Sequence, residues 1–167
     1  MVECRAMATR ASHPIRVYAD TSVYGGVFDE EFVKPSKAFF DLVRQGRFLL
    51  VHSVLVRTEI EKAPQHVQSL FAEYEVTAEP VEATAEALEL RNAYMKAGID
   101  GPKWNADALH VAVATIASCR VIVSWNFKHI VHFQKIPLYN GVNQSMGYGS
   151  IAIHSPEEVI SNDDESV

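Results

Sequence analysis

The sequence is poor in cysteine and has no long apolar run. Only two of its 167 residues are cysteines, Cys4 and Cys119, and they lie far apart, so we expect reduced thiols rather than a disulfide framework. No apolar run approaches the roughly 18 residues that a membrane-spanning helix needs. The first residues also lack the apolar segment of a secretory signal. These absences predict a cytoplasmic protein with no membrane partner.

The chain also lacks an excess of basic residues. It has 21 acidic and 15 basic side chains, for a formal net charge of −6. This balance argues against a broad electrostatic grip on nucleic acid, whose phosphates are negative. It leaves open a small local basic patch, or a site where carboxylates hold cations. With 48% hydrophobic and 22% charged residues, the chain is expected to fold rather than remain disordered.

The length suits one domain with a substantial core, and we find no internal repeat and no low-complexity linker. We predict a single domain over residues 14–160, a disordered extension over 1–13 and a disordered acidic tail over 161–167. Strands are predicted at 15–19, 48–52, 76–80, 121–123 and 151–153, and helices at 34–45, 54–63, 65–74, 82–96 and 106–118. Because strands alternate with helices, the expected fold is α/β with a central parallel sheet flanked by helices.

The stretch from Trp104 to Ile130 is the part of the sequence on which the predicted site mainly rests. It contains an apolar helix with Asn105 as its expected N-cap, a tight turn and a short buried strand that ends before Asn126. In an open parallel sheet, chemistry gathers at the carboxyl ends of the strands. Asn126 is therefore expected at that edge, with Asp107 close by at the start of the helix.

Four oxygen-bearing side chains are expected to converge there. Asp20 ends the first strand, Glu59 lies in the helix after the second, and Asp107 and Asn126 belong to the stretch 104–130. Clustered acids repel one another, and a divalent cation would relieve that repulsion. Hard oxygen ligands favour Mg²⁺ or Mn²⁺ over zinc. Such an ion can activate water and screen a phosphate, which is the chemistry of phosphodiester hydrolysis.

Each residue also has an ordinary structural explanation. Asp20 could be a turn or cap residue, Glu59 a solvated helix acid, and Asp107 a charge that complements the helix dipole. His110 lies among apolar residues, which is more typical of a core histidine than of a ligand. Only the combination favours a functional site.

Several segments resemble the successive motifs of the PIN domain, and together they cover residues 15–159. They are VYADTSVYGG, SVLVRTEIEKA, NADALHVAVAT and VIVSWNFKHIV, and YNGVNQSMGYGSIAIHSPEEV is similar to the end of one PIN subgroup, the SWNFKH type. The resemblance implies a three-layer α/β fold and a Mg²⁺- or Mn²⁺-dependent ribonuclease, of a kind common among type II toxin–antitoxin toxins.

The resemblance also assigns site residues. It puts Asp20, Glu59 and Asp107 on the acidic metal-site positions and Ser22 on the hydroxyl that accompanies the first acid. The fourth acidic position is Asn126, which offers an oxygen without charge and so argues against tight binding of a second metal.

Our leading hypothesis is a metal-dependent endoribonuclease in which Asp20, Glu59 and Asp107 are catalytic and bind the metal with Asn126. The residues expected to hold RNA are Ser22, Arg57, Lys103 and Lys128. The expected partners are RNA, an antitoxin protein that covers the site, and a second copy of the chain.

The alternative is a catalytically silent PIN-like module that binds RNA or protein, which Asn126 and the negative charge favour. A flavodoxin-like or phosphatase-like protein ranks last, because Gly25-Gly26 is a poor phosphate-binding loop.

Overall fold

The computed structural model describes residues 13–164 and the side chains of residues 13–161. Residues 1–12, which include Cys4 and most of the predicted extension, lie outside the described residues, as do 165–167. The described chain contains five strands: β1 (Ile15–Ala19), β2 (Phe48–Ser53), β3 (Glu79–Val81), β4 (Val121–Val123) and β5 (Ala152–His154).

Eight α-helices occur in the described chain. They are α1 (Thr21–Gly26), α2 (Val33–Arg44), α3 (Val54–Ile60), α4 (Gln65–Glu75), α5 (Ala85–Lys96), α6 (Asn105–Ile116), α7 (Ile136–Ser145) and α8 (Pro156–Asp164). A 3-10 turn, Pro102–Trp104, leads directly into α6. Helix α8 extends four residues into the segment predicted to be an acidic tail. Among the described residues, no helix combines the length and apolarity needed to cross a bilayer.

The strands form one parallel sheet in the order β3-β2-β1-β4-β5. Val17 of β1 pairs with Leu50 of β2 on one side and with Val121 of β4 on the other. Every neighbouring pair is parallel, which confirms the predicted α/β fold with a central parallel sheet. From β1 the chain builds outward to β3 and then returns to β4. The order therefore reverses between β1 and β4, and ligands bind at such switch points, beyond the carboxyl ends of the strands.

The core surrounds this central pair of strands. Tyr18 and Ile122, which are partners across β1 and β4, are both fully buried. Helix α6 is buried along most of its length, as its apolar sequence predicts. Cys119 is a free, buried thiol, and burial raises its pKa to about 11, which suits an inert core residue.

Three local predictions were wrong. No helix was predicted over residues 21–26, yet they form α1, because burial of Val23 and Tyr24 outweighs the poor helix propensity of the two glycines. Asn105 is the first residue of α6 rather than its N-cap, since the 3-10 turn occupies the cap position and no side chain caps this helix. No helix was predicted over residues 137–149, which contain most of α7, a helix with a proline in its first turn, a position at which proline is tolerated.

Candidate active site

Asp20 directly follows β1, and hydrogen bonds connect its side chain to the residues just beyond β4. It is the N-cap of α1, and its Oδ1 atom accepts hydrogen bonds from the Ser22 amide at 3.2 Å and the Ser22 hydroxyl at 2.5 Å. Its Oδ2 atom accepts a 2.6 Å hydrogen bond from the hydroxyl of Ser124, just beyond β4. The side chain is only 5% exposed. Burial raises the pKa of Asp20 above its ordinary value, although His110 and the two serine hydroxyls partly oppose that rise.

Glu59 and His110 form a second connected pair. The Nε2 atom of His110 lies 2.8 Å from the Oε1 atom of Glu59, and the Thr21 hydroxyl donates to Oε2. His110 is 3% exposed, whereas the Glu59 side chain is 41% exposed. Burial raises the pKa of Glu59, but the hydrogen bond and charge of His110 outweigh it and leave that pKa lowered. Both carboxylate oxygens of Glu59 therefore already have partners.

The His110 ring continues inward from this pair. Its Nδ1 atom lies 2.7 Å from the Tyr18 hydroxyl, which lies 2.7 Å from the hydroxyl of Ser53, the N-cap of α3. Burial alone would lower the pKa of His110. The hydrogen bond to Glu59 and the charges of Glu59, Asp20 and Asp107 raise it above the ordinary value instead. His110 thus lies within the electrostatic field of all three predicted acids.

Asp107 lies in the first turn of α6, three residues before His110 and on the same side of the helix. It is partly buried, and its carboxylate accepts no hydrogen bond from a described residue. Burial raises its pKa, with further increases from Asp100 and Glu59 that His129 and His110 oppose. The charge of Asp107 is therefore poorly compensated.

Asn126 connects to Asp20 through a shared serine. Its backbone amide donates to the Ser124 hydroxyl at 2.9 Å, and that hydroxyl donates to Asp20. Its side-chain Oδ1 atom accepts a 3.0 Å hydrogen bond from the backbone amide of His129. Asn126 therefore holds the turn after β4, and its carbonyl oxygen is already in use.

Comparison with solved structures identifies this fold. A chain in the structure of VapBC2 from Rickettsia felis, bound to a DNA fragment from their promoter, aligns with a TM-score of 0.56 and 16% identity. The alignment covers 84% of this chain and 98% of the other. This chain has the PIN-domain fold. At that identity the likeness shows the fold alone, and the predicted SWNFKH subgroup stays a prediction.

A looser likeness exists to Mycobacterium tuberculosis VapC20, a Sarcin-Ricin loop cleaving toxin. That alignment has a TM-score of 0.48 and 11% identity, and covers 81% of this chain and 98% of the other. No protein-family model matches the sequence, and no curated protein matches it.

Within this PIN-domain fold, the acids are of the ligand type that a hard divalent cation prefers. Asp20 and Asp107 offer oxygen ligands. Burial is the main cause of the raised pKa of each, and it makes a negative charge costly unless a cation lies nearby. Among the described residues, no group of three or more His, Cys, Asp and Glu side chains is arranged to hold a metal ion. Mg²⁺ is commonly held by one or two carboxylates with water completing its shell, and this chain's donors suit that mode.

The predicted RNA-contacting residues have different surroundings. Ser22 is a partner of Asp20, and its hydroxyl oxygen also accepts a 2.9 Å hydrogen bond from the backbone of Trp125. Arg57 forms an ion pair with Glu75 at the end of α4, so its charge is partly neutralised. Lys128 is exposed, with its ammonium nitrogen 5.2 Å from the centre of the Trp104 indole.

The sequence analysis missed two groups beside the acids. His110 was interpreted as a core histidine, and although it is buried, its three-residue spacing from Asp107 was the signal that it faces the site. The other group is a buried network centred on Asp100, which accepts hydrogen bonds from His129 at 2.8 Å, Tyr139 at 3.2 Å and Lys135. No local sequence pattern predicts that network, because its members are distant in sequence and only the fold brings them together.

Proposed function

We propose that this protein is a metal-dependent endoribonuclease that hydrolyses RNA phosphodiester bonds. The observation that supports this most is the relation of Asp20 and Asp107. Both are carboxylates with raised pKa values, from different elements, and both act on the same buried histidine at the switch point of the sheet. The carboxylate of Asp107 accepts no hydrogen bond from a described residue, so a cation bound beside it would supply the missing partner.

Asp20 and Asp107 would hold Mg²⁺ or Mn²⁺, with Asn126 next to the bound water. When bound, the ion would lower the pKa of a water molecule and screen the charge of the phosphate. Asp20 is kept in place by the hydroxyls of Ser22 and Ser124. Glu59 is held by His110 and Thr21, so it would act mainly by keeping His110 oriented and would accept a proton only when released from them.

We further propose that the protein is the toxin of a type II toxin–antitoxin pair. The support is the PIN-domain fold shared with a chain of VapBC2, together with the sequence motifs. An antitoxin protein would cover the acids, and a second copy of the chain would complete the assembly in the cytoplasm. Expression of the wild type is expected to arrest bacterial growth, whereas bacteria that express the Asp20→Asn variant are expected to grow. Light scattering of the purified chain tests the dimer.

The deciding experiment measures cleavage of a mixed pool of structured and single-stranded RNA with Mg²⁺, with Mn²⁺ and with EDTA. Asp20→Asn and Asp107→Asn are each expected to lower the cleavage rate by about 100-fold or more. The matched control is Asp41→Asn, an exposed acid of α2 that pairs with Arg44 at 2.9 Å. It is expected to cleave like the wild type. Cleavage that survives in both active-site variants would sink the site assignment.

The second candidate is a silent PIN-like binding module. Asn126 favours it, because an amide whose oxygen already holds a turn adds no charge for a metal. It predicts RNA binding without cleavage under every metal condition, and no calorimetric signal when Mg²⁺ or Mn²⁺ is added.

A further inference from the structure

A partly exposed indole lies beside the candidate active site. Trp104 ends the 3-10 turn before α6. One side of its ring stacks on the imidazole of His129, with the ring centres 3.9 Å apart and the planes inclined by 25°. Trp104 precedes Asp107 by three residues, and His129 follows Asn126 by three. Anything bound to this indole therefore lies close to the proposed cleavage site.

The indole rests on a fixed support. His129 is 5% exposed, and its Nδ1 atom lies 2.8 Å from the Asp100 carboxylate. Its backbone amide donates to Asn126. Asp100 is held in turn by Tyr139 and Lys135. An aromatic ring on so rigid a base is already in its binding position, which lowers the entropic cost of stacking a ligand on it.

Two lysines give the same spot a local positive charge. The ammonium nitrogens of Lys103 and Lys128 lie over the indole ring, each 5.2 Å from its centre, so a base that stacks on the ring would replace these contacts. Both side chains are exposed, and neither pairs with a carboxylate of a described residue. Lys135, by contrast, is bound to Asp100. On a chain with a net charge of −6, two cations that have no carboxylate partner among the described residues lie at one aromatic ring. They mark a place where an anion with a flat apolar face would be attracted.

We propose that Lys103, Trp104, Lys128 and His129 form a platform for one unpaired nucleotide, with the base stacked on Trp104 and the flanking phosphates on the two lysines. Stacking on an aromatic side chain beside cations is how proteins hold single-stranded nucleic acid. A base inside a duplex has no free face to offer. The identity of the nucleic acid as RNA rests on the proposed function, while the platform itself does not. The proposal makes the substrate single-stranded at the position next to the cut.

The test uses the full chain carrying Asp20→Asn, so that the probe stays intact. Affinity is measured by fluorescence anisotropy with a labelled RNA strand of about twelve nucleotides, the same RNA annealed to its complement, and DNA of the same sequence. Trp104→Leu keeps an apolar side chain without a π-face, and Trp104→Phe restores a smaller ring. The matched control for charge is Arg120→Ala, because Arg120 is exposed and immediately precedes β4, at the opposite edge of the sheet.

Trp104→Leu is expected to weaken binding of the single strand by about tenfold or more, and Trp104→Phe is expected to recover most of that loss. Lys103→Ala and Lys128→Ala should each reduce the slope of log affinity against log salt by about 0.7. Arg120→Ala should leave affinity and slope unchanged. Single-stranded DNA that binds equally, with the same dependence on Trp104, supports a platform that reads base and phosphate. Tighter RNA binding supports one that also reads the 2′-hydroxyl.

Equal affinity of the Trp104→Leu chain and its parent, or equal binding of the duplex, would overturn the platform. The nuclease proposal fails separately, if the wild type does not cleave RNA. Cleavage with binding indifferent to Trp104 therefore rejects only the platform. Binding that depends on Trp104 without cleavage rejects only the nuclease.

Discussion

The Nε2 atom of His110 lies 2.8 Å from the Oε1 atom of Glu59, between a buried ring and a half-exposed acid. This pair connects the acids to the core. The other ring nitrogen of His110, Nδ1, is hydrogen-bonded to the buried Tyr18 hydroxyl, which is hydrogen-bonded in turn to the Ser53 hydroxyl. Asp20 and Asp107 act on the same imidazole through their charges. The protonation of one histidine therefore affects the whole acidic group.

Replacing His110 with glutamine is expected to reduce stability in a pH-dependent way. The folded-state pKa of His110 is raised, so its protonation stabilises the folded state fully below the ordinary value of 6.5, and this contribution is lost as pH rises through the folded pKa. Urea denaturation across that range should show the largest loss in His110→Gln at low pH, of about 1–3 kcal/mol. The exposed His66 of α4 supplies the control, and a loss in His110→Gln that does not change with pH would contradict the prediction.

Asp107→Asn is expected to stabilise the protein when no divalent cation is present. The folded-state pKa of Asp107 is raised, so ionising it becomes unfavourable as pH rises above the ordinary 3.8, and that penalty remains at neutral pH. The asparagine variant should be more stable at neutral pH by on the order of 1 kcal/mol, with no difference well below pH 3.8.

Adding Mg²⁺ should stabilise the wild type, because a ligand bound only to the folded state raises its stability. The difference in stability between the wild type and Asp107→Asn should therefore become smaller. Thermal unfolding with Mg²⁺ and with EDTA makes the measurement. A wild type indifferent to Mg²⁺ and Mn²⁺ would count against the metal.

Asn126→Asp is expected to keep the turn and strengthen metal binding. A carboxylate can accept the hydrogen bond from the His129 amide as the amide oxygen does, and it adds a negative charge near Asp20. Asn126→Ala should lose the turn contact and about 1 kcal/mol of stability. Calorimetric titration with Mn²⁺ compares the affinities. Weaker binding by Asn126→Asp than by the wild type would show that Asn126 does not face the metal.

Arg57→Ala is expected to affect RNA cleavage less than Lys128→Ala. The guanidinium of Arg57 pairs with Glu75, whereas Lys128 has no carboxylate partner among the described residues. The exposed ion pair of Arg57 should contribute less than about 1 kcal/mol to stability. Cleavage rates of the two variants at several salt concentrations test the order, and a larger loss in Arg57→Ala would reverse our assignment.

Gly26→Ala is expected to destabilise the protein by about 1–3 kcal/mol. A Cβ at Gly26 would lie 2.5 Å from the Ser36 hydroxyl oxygen and 2.6 Å from the Trp125 indole nitrogen, which are hydrogen-bonded to each other at 2.9 Å. The neighbouring Gly25 has nothing within 4 Å of its Cβ position. Gly25→Ala should stabilise α1 by about 0.5–1 kcal/mol. Equal effects of the two substitutions on thermal unfolding would refute the packing argument.

Much of the fold was predictable because local patterns and tertiary packing agree. The β-branched run at Val121–Val123 is a buried strand, as predicted, and Ser53 caps the helix after β2. Helices α1 and α7 were missed, because Gly25, Gly26 and Gly141 lower helix propensity while tertiary burial keeps both segments helical.

The site was predictable only in part. Asp20 and Asp107 lie where the sequence predicts, after β1 and in the first turn of α6, and their convergence on one metal stays a prediction. The partners of Glu59 could not be predicted, since a hydrogen bond to a histidine 51 residues away depends on how α3 and α6 pack.

The strand order also governs when the site can form during synthesis. Asp20 leaves the ribosome early, but Ser124, which donates to it, follows 104 residues later. Until β4 has emerged and paired with β1, the carboxylate of Asp20 lacks this partner, and the side of β1 that pairs with β4 has no neighbouring strand. The bond between Ser124 and Asp20, and the pairing of β1 with β4, therefore form only after most of the chain has been made.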